Sequence, residues 1–273
     1  MMLGGWATDT QVTHRQRLWL YVVVGLTAVF LVAPALIVVP MSFSDSRFLQ
    51  FPPEGFSWRW YENYFNSIEW REATAVSFKT AGLTVLMATP AGTLAAYGLH
   101  VSQSRIAGLV QTALITPLII PLILIAIAVF FLYARIGLNN TILGLALAHT
   151  TLAIPFVLVT VTAGLRSYDM NQELVARSLG ASRAVAFLTV TLPQIRFSVI
   201  SGALLAFIAS FDEVVIALFI AGGDSSPLTR RMFNALRDEI DPTVAAISTL
   251  LIGMAVILMI LSQWIESKAE RKD

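Results

Sequence analysis

Six long apolar blocks constrain the fold of this chain more than any other feature of its sequence. Each block can cross a bilayer, since a membrane-spanning helix needs about 20 mostly apolar residues. The blocks occupy residues 18–41, 74–99, 107–134, 141–165, 197–221 and 243–265. We therefore predict an all-α polytopic membrane protein with six transmembrane helices. Too little polar sequence remains for a separate soluble domain.

Composition supports a membrane location and excludes several other classes of protein. Hydrophobic residues make up 56% of the chain and charged residues 13%, about half of the charged share of a soluble domain. The chain has no cysteine, so no disulfide framework is expected. No basic run resembles a nucleic-acid patch, and we expect no nucleic-acid partner. The first block continues to Met41, which is longer than a signal-peptide core and favours a retained helix over a cleaved one.

The distribution of Lys and Arg predicts the orientation. Six spans place both termini on one side, and that side carries ten of the 18 Lys and Arg residues. Basic residues concentrate on the cytoplasmic side of membrane proteins. The short loop at Arg105 and the basic loop at 166–196 favour a cytoplasmic N-terminus. We expect a cytoplasmic segment at 1–17, a membrane domain at 18–265 and a cytoplasmic tail at 266–273.

The connection between the fourth and fifth blocks is long and helical in pattern. It contains "ELVARSLGASRAVAFLTVTLP", residues 173–193. Asn171 is a predicted N-cap, and Glu173 lies in the first turn, where a carboxylate favours the helix dipole. Glu173 and Arg177 have the favourable i,i+4 order. Gly180 is placed to end this first helix.

A second short helix is predicted directly after that glycine. Ser182 can cap its N-terminus, and Leu192-Pro193 is predicted to stop it before the fifth membrane helix. Two short helices joined at a glycine make a rigid projection, which suits binding to a cytoplasmic protein. The residues alone equally allow an amphipathic segment that lies on the lipid.

The same connection resembles the EAA loop of binding-protein-dependent ABC transporter permeases. That pattern is roughly E-A-A, three residues, G, about nine residues and I-x-L-P. Its alanine, glycine and I-x-L-P positions fall on Val175 and Ala176, on Gly180, and on Val190, Leu192 and Pro193. Its glutamate position falls on Leu174, so that Glu173 stands one residue early.

The resemblance extends over about residues 18–265. "MSFSDSRF", "PPEGFSWRWYENYF", "SFDEVVIALFIAG" and "DPTVAAISTLL" look like the spermidine/putrescine permease subfamily, in particular its second permease subunit. This resemblance implies the type I ABC importer permease fold, with a cytoplasmic coupling loop at about 167–196. It also implies a location in the bacterial inner membrane.

The resemblance further implies a set of partners. Two copies of an ATPase subunit, which hold ATP and Mg, would bind the coupling loop. A second, related permease would complete the pathway, and a periplasmic solute-binding protein would deliver the solute. This chain would bind no cofactor itself, and it contains no G-x-x-x-x-G-K-[ST] phosphate loop. The residues implied to couple to the ATPase are Glu173, Ala176, Arg177, Leu179, Gly180, Ala181, Leu192 and Pro193.

Asp212 and Glu213 form an acidic pair inside the fifth apolar block. A charge in a membrane helix costs about 3 kcal/mol on insertion scales, so it usually faces water or a partner. Adjacent helical residues point about 100° apart, so one of the two is expected to face a cavity. The pair is interpreted either as an anionic stretch of pathway for a cation or as a structural, hydrogen-bonded group. The resemblance favours a polyamine, with another amino-compound or an opine-like solute as the alternative.

Two other classes of function fit the sequence less well. An ion-coupled secondary transporter would use several intramembrane ionisable residues, and we find one acidic pair. A membrane-embedded enzyme would need a nucleophile or metal constellation. His14, His100 and His149 are too scattered to suggest one, so no catalytic residue and no metal ligand is predicted.

Overall fold

The computed structural model describes residues 17–102 and 104–270. Within these ranges the chain is helical, and the one extended pairing is an isolated bridge between Ser44 and Phe56. The expected N-terminal segment at 1–17 lies outside the described residues except for Arg17, and residues 271–273 of the expected tail also lie outside them.

The described part of the chain divides into two compact units, residues 17–66 with 240–270 and residues 67–239. The first unit contains α1 (Leu18–Ser42), α2 (Arg59–Asn66) and α13 (Thr243–Glu270). The second contains the helices α3 (Ile68–Val101), α4 (Ala107–Ile115), α5 (Leu122–Ile136), α6 (Ile142–Ser167), α7 (Asn171–Ser178), α8 (Arg183–Ala186), α9 (Leu192–Gln194), α10 (Arg196–Phe211), α11 (Val215–Ile220) and α12 (Leu228–Asn234).

In the first unit, α2 is held by its aromatic residues. Trp60 and Tyr61 are buried in a cluster with Ala246 of α13, and Phe43 packs against them. The Tyr61 hydroxyl lies 2.7 Å from the Ser42 hydroxyl. An aromatic side chain with a polar edge is typical of the membrane–water interface, which agrees with the position of α2 in the connection that follows the long apolar helix α1.

In the second unit, α3, α6 and α10 pack closely together. Their contact surfaces carry small buried residues, including Ala88, Ala96, Ala153 and Ala206. A Cβ atom added at Gly92 would lie 2.7 Å from Cβ of Val157. Small residues let membrane helices approach each other closely, so these three helices form the core that positions the sites described below.

The predicted third span is broken at its prolines. α4 continues through a 3₁₀ turn to Leu118, and the axis of residues 107–118 makes an angle of 96° with that of α5. Pro117 and Pro121 lack the backbone N–H that a continuous helix would use. The block 107–134 is therefore two helices at a steep angle and not one continuous helix.

The predicted fifth span is also discontinuous. α10 ends at Phe211 and α11 begins at Val215, which leaves Asp212, Glu213 and Val214 outside helical structure. The expected continuous helix over 197–221 is therefore wrong. The last helix, α13, continues to Glu270, beyond the expected boundary at 265.

Not every predicted span is a single long helix. Among the described residues, α1, α3 and α6 are each long and apolar enough to cross a membrane, and two bent helix pairs raise the number to as many as five. α13 contributes a shorter apolar stretch, Thr243–Ile257. The count of six transmembrane helices stays a prediction.

Candidate functional site

The long connection after α6 forms two short helices joined at a glycine. α7 begins at Asn171, whose backbone N–H donates to Asp169 Oδ1 at 3.0 Å. Asn171 is thus the first helical residue and not the expected N-cap, because the aspartate two residues earlier satisfies its N–H. At the other end, Gly180 has φ +98°, a left-handed conformation that glycine adopts without steric cost.

Two hydrogen bonds complete the end of α7. The N–H of Gly180 donates to the carbonyl of Arg177 at 3.0 Å, and that of Ala181 donates to the carbonyl of Ala176 at 3.2 Å. This pair of bonds is the Schellman motif. The expected role of Gly180 as the residue that ends this helix is confirmed, and the motif makes the turn rigid.

The second half of the connection is longer than expected. Ser182 Oγ accepts the N–H of Val185 at 3.3 Å, so its expected role as the cap of α8 is confirmed. α8 continues through a π-helical turn, Phe187–Thr191, into α9. Pro193 lies in the first turn of α9, where its missing N–H is tolerated. The helix ends one residue after the expected stop at Leu192-Pro193, and the chain turns by 79° between Gln194 and Arg196.

One side of α7 and its turn is exposed and apolar. Leu179 is 84% exposed, and Leu174 and Val175 are more than half exposed. Arg177 and Gly180 are also exposed, whereas Ala176 and Ala181 are half-buried. In the second helix Leu192 is half-buried and Pro193 exposed. Three exposed apolar residues on one short helix and its turn leave apolar surface uncovered within this chain.

Glu173 belongs to the opposite side of α7. It is 1% exposed, and its Oε1 accepts a hydrogen bond from the Tyr97 hydroxyl at 2.6 Å. Its Oε2 accepts one from the Thr191 hydroxyl, also at 2.6 Å. The expected Glu173–Arg177 pair is not among the salt bridges of the described residues. The partners of Glu173 are distant in sequence, so no local pattern could have identified them.

The acidic pair in the fifth block lies where that block is broken, and its members differ in exposure. Asp212 is exposed, whereas Glu213 is 7% exposed. The Glu213 carboxylate accepts the N–H of Ile216 at 2.9 Å and that of Ala217 at 3.2 Å. These N–H groups begin α11, where a carboxylate also favours the helix dipole. The buried Glu213 carboxylate therefore satisfies two backbone N–H groups that the break leaves without a helical partner.

His149 of α6 is a member of this site that the sequence did not reveal. Its Nδ1 lies 2.9 Å from the Ser210 hydroxyl, which donates in turn to Thr84 Oγ1 at 3.1 Å. Its Nε2 lies 3.4 Å from Glu213 Oε2, without the geometry of a hydrogen bond. A polar chain thus crosses α3, α6 and α10 beside the break. No group of three or more His, Cys, Asp or Glu side chains among the described residues could hold a metal.

Apolar helices long enough to cross a membrane, with a polar break in one span, are typical of a membrane transport protein. The family model for the inner membrane component of binding-protein-dependent transport systems matches residues 88–271. The chain belongs to this family. The relationship expected from the loop pattern is confirmed.

The chain is similar to curated permeases over most of its length. It is 32% identical over 239 residues to the spermidine/putrescine transport system permease protein PotC of Haemophilus influenzae, covering 88% of this chain and 93% of that protein. It is 30% identical over 262 residues to the putrescine transport system permease protein PotI of Escherichia coli, with 93% and 92% covered. The molybdenum transport system permease protein ModB of Mycobacterium bovis is 28% identical over 204 residues, with 69% and 76% covered.

The fold is also found in a solved transporter. A chain of the bacterial ABC transporter involved in the import of the acidic polysaccharide alginate superposes with a TM-score of 0.69. The match covers 97% of this chain and 99% of that chain at 14% identity, which shows the fold.

The chain is therefore a permease subunit of an ABC importer. It is a multi-pass protein of the inner membrane and works with a periplasmic binding protein, as its family does. ATP hydrolysis belongs to a separate subunit, so this chain is not the enzyme of the complex.

Proposed function

We propose that this chain forms half of the translocation pathway for a polyamine such as putrescine or spermidine. The observation that carries the proposal is the 30–32% identity to PotC and PotI over about nine tenths of the chain. A second, related permease completes the pathway, and the periplasmic binding protein supplies the polyamine.

The exposed side of α7 is the proposed contact with the ATPase. Leu174, Val175 and Leu179 leave apolar surface uncovered within this chain, and the Schellman turn at Gly180 holds that surface in one shape. Two ATPase copies, which bind ATP and Mg, engage this loop and its counterpart on the second permease. This contact requires α7 and both termini to be cytoplasmic.

Asp212 is the proposed charge along the pathway. It is exposed at the break after α10, while Glu213 is occupied by two backbone N–H groups of α11. An exposed carboxylate beside an interrupted membrane helix attracts a cation such as a protonated polyamine. Glu213 holds the backbone next to Asp212 in place, and it acts on the solute through that position more than by direct contact.

Transport by the reconstituted importer tests the function. Proteoliposomes would contain this chain, its partner permease and the ATPase. The binding protein would be added on the side of the membrane that corresponds to the periplasm. We expect uptake of labelled putrescine or spermidine that requires both ATP and the binding protein, and none with an ATPase subunit that cannot hydrolyse ATP. If polyamines fail while another amino-compound or an opine-like solute stimulates ATP hydrolysis, the polyamine assignment is wrong. If uptake proceeds without the ATPase, the transport is ion-coupled and not driven by ATP.

A further inference from the structure

Glu173 does not lie on the surface that is proposed to meet the ATPase. Val175, two residues later and about 200° around the helix, is 58% exposed, whereas Glu173 is 1% exposed. We propose that Glu173 is a positioning residue that joins the coupling loop to α3, and that α3 carries movements of the loop to the break at Asp212–Val214. This inference rests on the proposed contact between the loop and the ATPase.

The hydrogen bonds of Glu173 reach two different parts of the protein. Tyr97 donates from near the C-terminal end of α3, and Thr191 donates from the π-helical turn between α8 and α9. Each carboxylate oxygen therefore has its own hydroxyl donor at 2.6 Å. Hydrogen bonds to a charged acceptor are short and strong, and a buried carboxylate deprived of one is strongly destabilised. The loop cannot move away from α3 without breaking such a bond.

Tyr97 contacts both halves of the loop. Its hydroxyl binds Glu173 of α7, and its ring lies 4.5 Å, centroid to centroid, from the ring of Phe187 in the π-helical turn. Both aromatic side chains are buried. A displacement of either short helix therefore acts on the same residue of α3.

The helix α3 connects this residue to the acidic break. α3 has 34 residues and is continuous through Pro90. Thr84, about 20 Å along the same helix from Tyr97, accepts a hydrogen bond from Ser210. Ser210 binds His149, which lies beside Glu213. One rigid helix thus contacts the coupling loop at one end and the polar chain beside the break further along. Coupling between distant sites is carried by such rigid elements and polar networks.

The test uses hydroxyl deletions in the complete importer, made of this chain, its partner permease, the ATPase and the binding protein. Tyr97→Phe removes the bond to Glu173 but keeps the ring on Phe187, and Thr191→Val removes the other bond with little change of shape. Thr191→Ser restores that hydroxyl. Thr189→Val is the matched control, because the Thr189 hydroxyl in the same turn is exposed and donates to the carbonyl of Val185.

The readout is the number of putrescine molecules taken up per ATP hydrolysed. We expect Tyr97→Phe and Thr191→Val to lower this ratio about tenfold or more, the size that follows from losing one hydrogen bond to a charged group. Basal ATP hydrolysis, complex abundance and the amount of bound ATPase should be unchanged. Thr191→Ser and Thr189→Val should match the wild type.

Two results would overturn the inference. A normal ratio in both hydroxyl deletions would show that Glu173 does not transmit movement from the loop to α3. Failure of Tyr97→Phe to assemble into the complex would show that the Glu173 carboxylate is needed only for folding. Crosslinking from Leu179→Cys to the ATPase, in the wild-type and Tyr97→Phe backgrounds, separates this inference from the proposed function. Absence of the crosslink in both backgrounds rejects the coupling role of the loop itself. A crosslink together with a normal ratio of putrescine uptake to ATP hydrolysis rejects only the link through Glu173 and leaves the proposed ATPase contact in place.

Discussion

His149 Nε2 lies 3.4 Å from Glu213 Oε2, and both side chains are almost completely buried. The contact joins α6 to the break after α10, and the same carboxylate accepts two N–H groups at the start of α11. Asp212, the adjacent residue, is exposed. The two neighbouring acidic residues therefore differ physically: Glu213 is buried and hydrogen-bonded at the break, and Asp212 is exposed and is the one proposed to meet the solute.

Glu213→Gln should destabilise the complex, and Asp212→Asn should not. The glutamine offers one acceptor oxygen in place of two, so one N–H of α11 loses its partner at a cost of about 1–3 kcal/mol. We expect a lower apparent melting temperature of the purified complex for Glu213→Gln alone. An equal decrease for Asp212→Asn would contradict the distinction drawn between the two residues.

Asp212→Asn should reduce transport without loss of complex. At about 6 Å and an effective dielectric constant of about 20, one charge pair contributes about 3 kcal/mol before desolvation is subtracted. A net loss of about 1–2 kcal/mol corresponds to about five- to thirtyfold in transport efficiency. The measurement is putrescine uptake at saturating binding protein, with abundance checked by immunoblot. Wild-type uptake would show that this carboxylate does not act on the solute.

Gly180→Ala should weaken coupling through backbone strain alone. A Cβ atom added at Gly180 would meet no other atom within 4 Å, but φ is +98°, and a left-handed conformation costs a residue with a side chain about 1–2 kcal/mol. We expect normal membrane insertion and less binding-protein-stimulated ATP hydrolysis. Gly98→Ala is the control, because Gly98 lies within α3 and also has open space around it. A similar loss in both variants would rule out the left-handed turn as the cause.

Crosslinks from α7 and from the turn that follows it should reach the ATPase. The natural chain has no cysteine, so a single cysteine at Ala176, Leu179 or Ser182 is the sole thiol of each variant. We expect crosslinks to the ATPase from these positions and none from Leu26→Cys, which lies in the apolar helix α1 and is exposed. Labelling of the loop cysteines from the periplasm in intact cells would show that the orientation is wrong.

Local sequence signals predicted much of the coupling loop. Gly180 and Ser182 have the expected roles at the ends of α7 and α8 because a left-handed turn and a side-chain cap involve residues a few positions apart. The same locality explains the bend between α4 and α5, since Pro117 and Pro121 remove backbone donors wherever they occur. The position of Asn171 was missed because Asp169, two residues earlier, offers a competing acceptor.

The class of this protein could thus be predicted before its structure was known. The apolar blocks and the glycine-linked loop depend on neighbouring residues, and the relationship to importer permeases depends on a family pattern. The directions in which Glu173 and Glu213 face could not be predicted in this way, because they depend on contacts between distant helices. Glu173 is buried because Tyr97, 76 residues away, and Thr191 come close enough to donate to it. Likewise, the buried Glu213 carboxylate at the break Asp212–Val214 accepts two N–H groups of α11 and lies beside His149 of α6. Such contacts arise from helix packing. Hydrophobic periodicity predicts which face of a helix is buried, but not which residues of two helices meet.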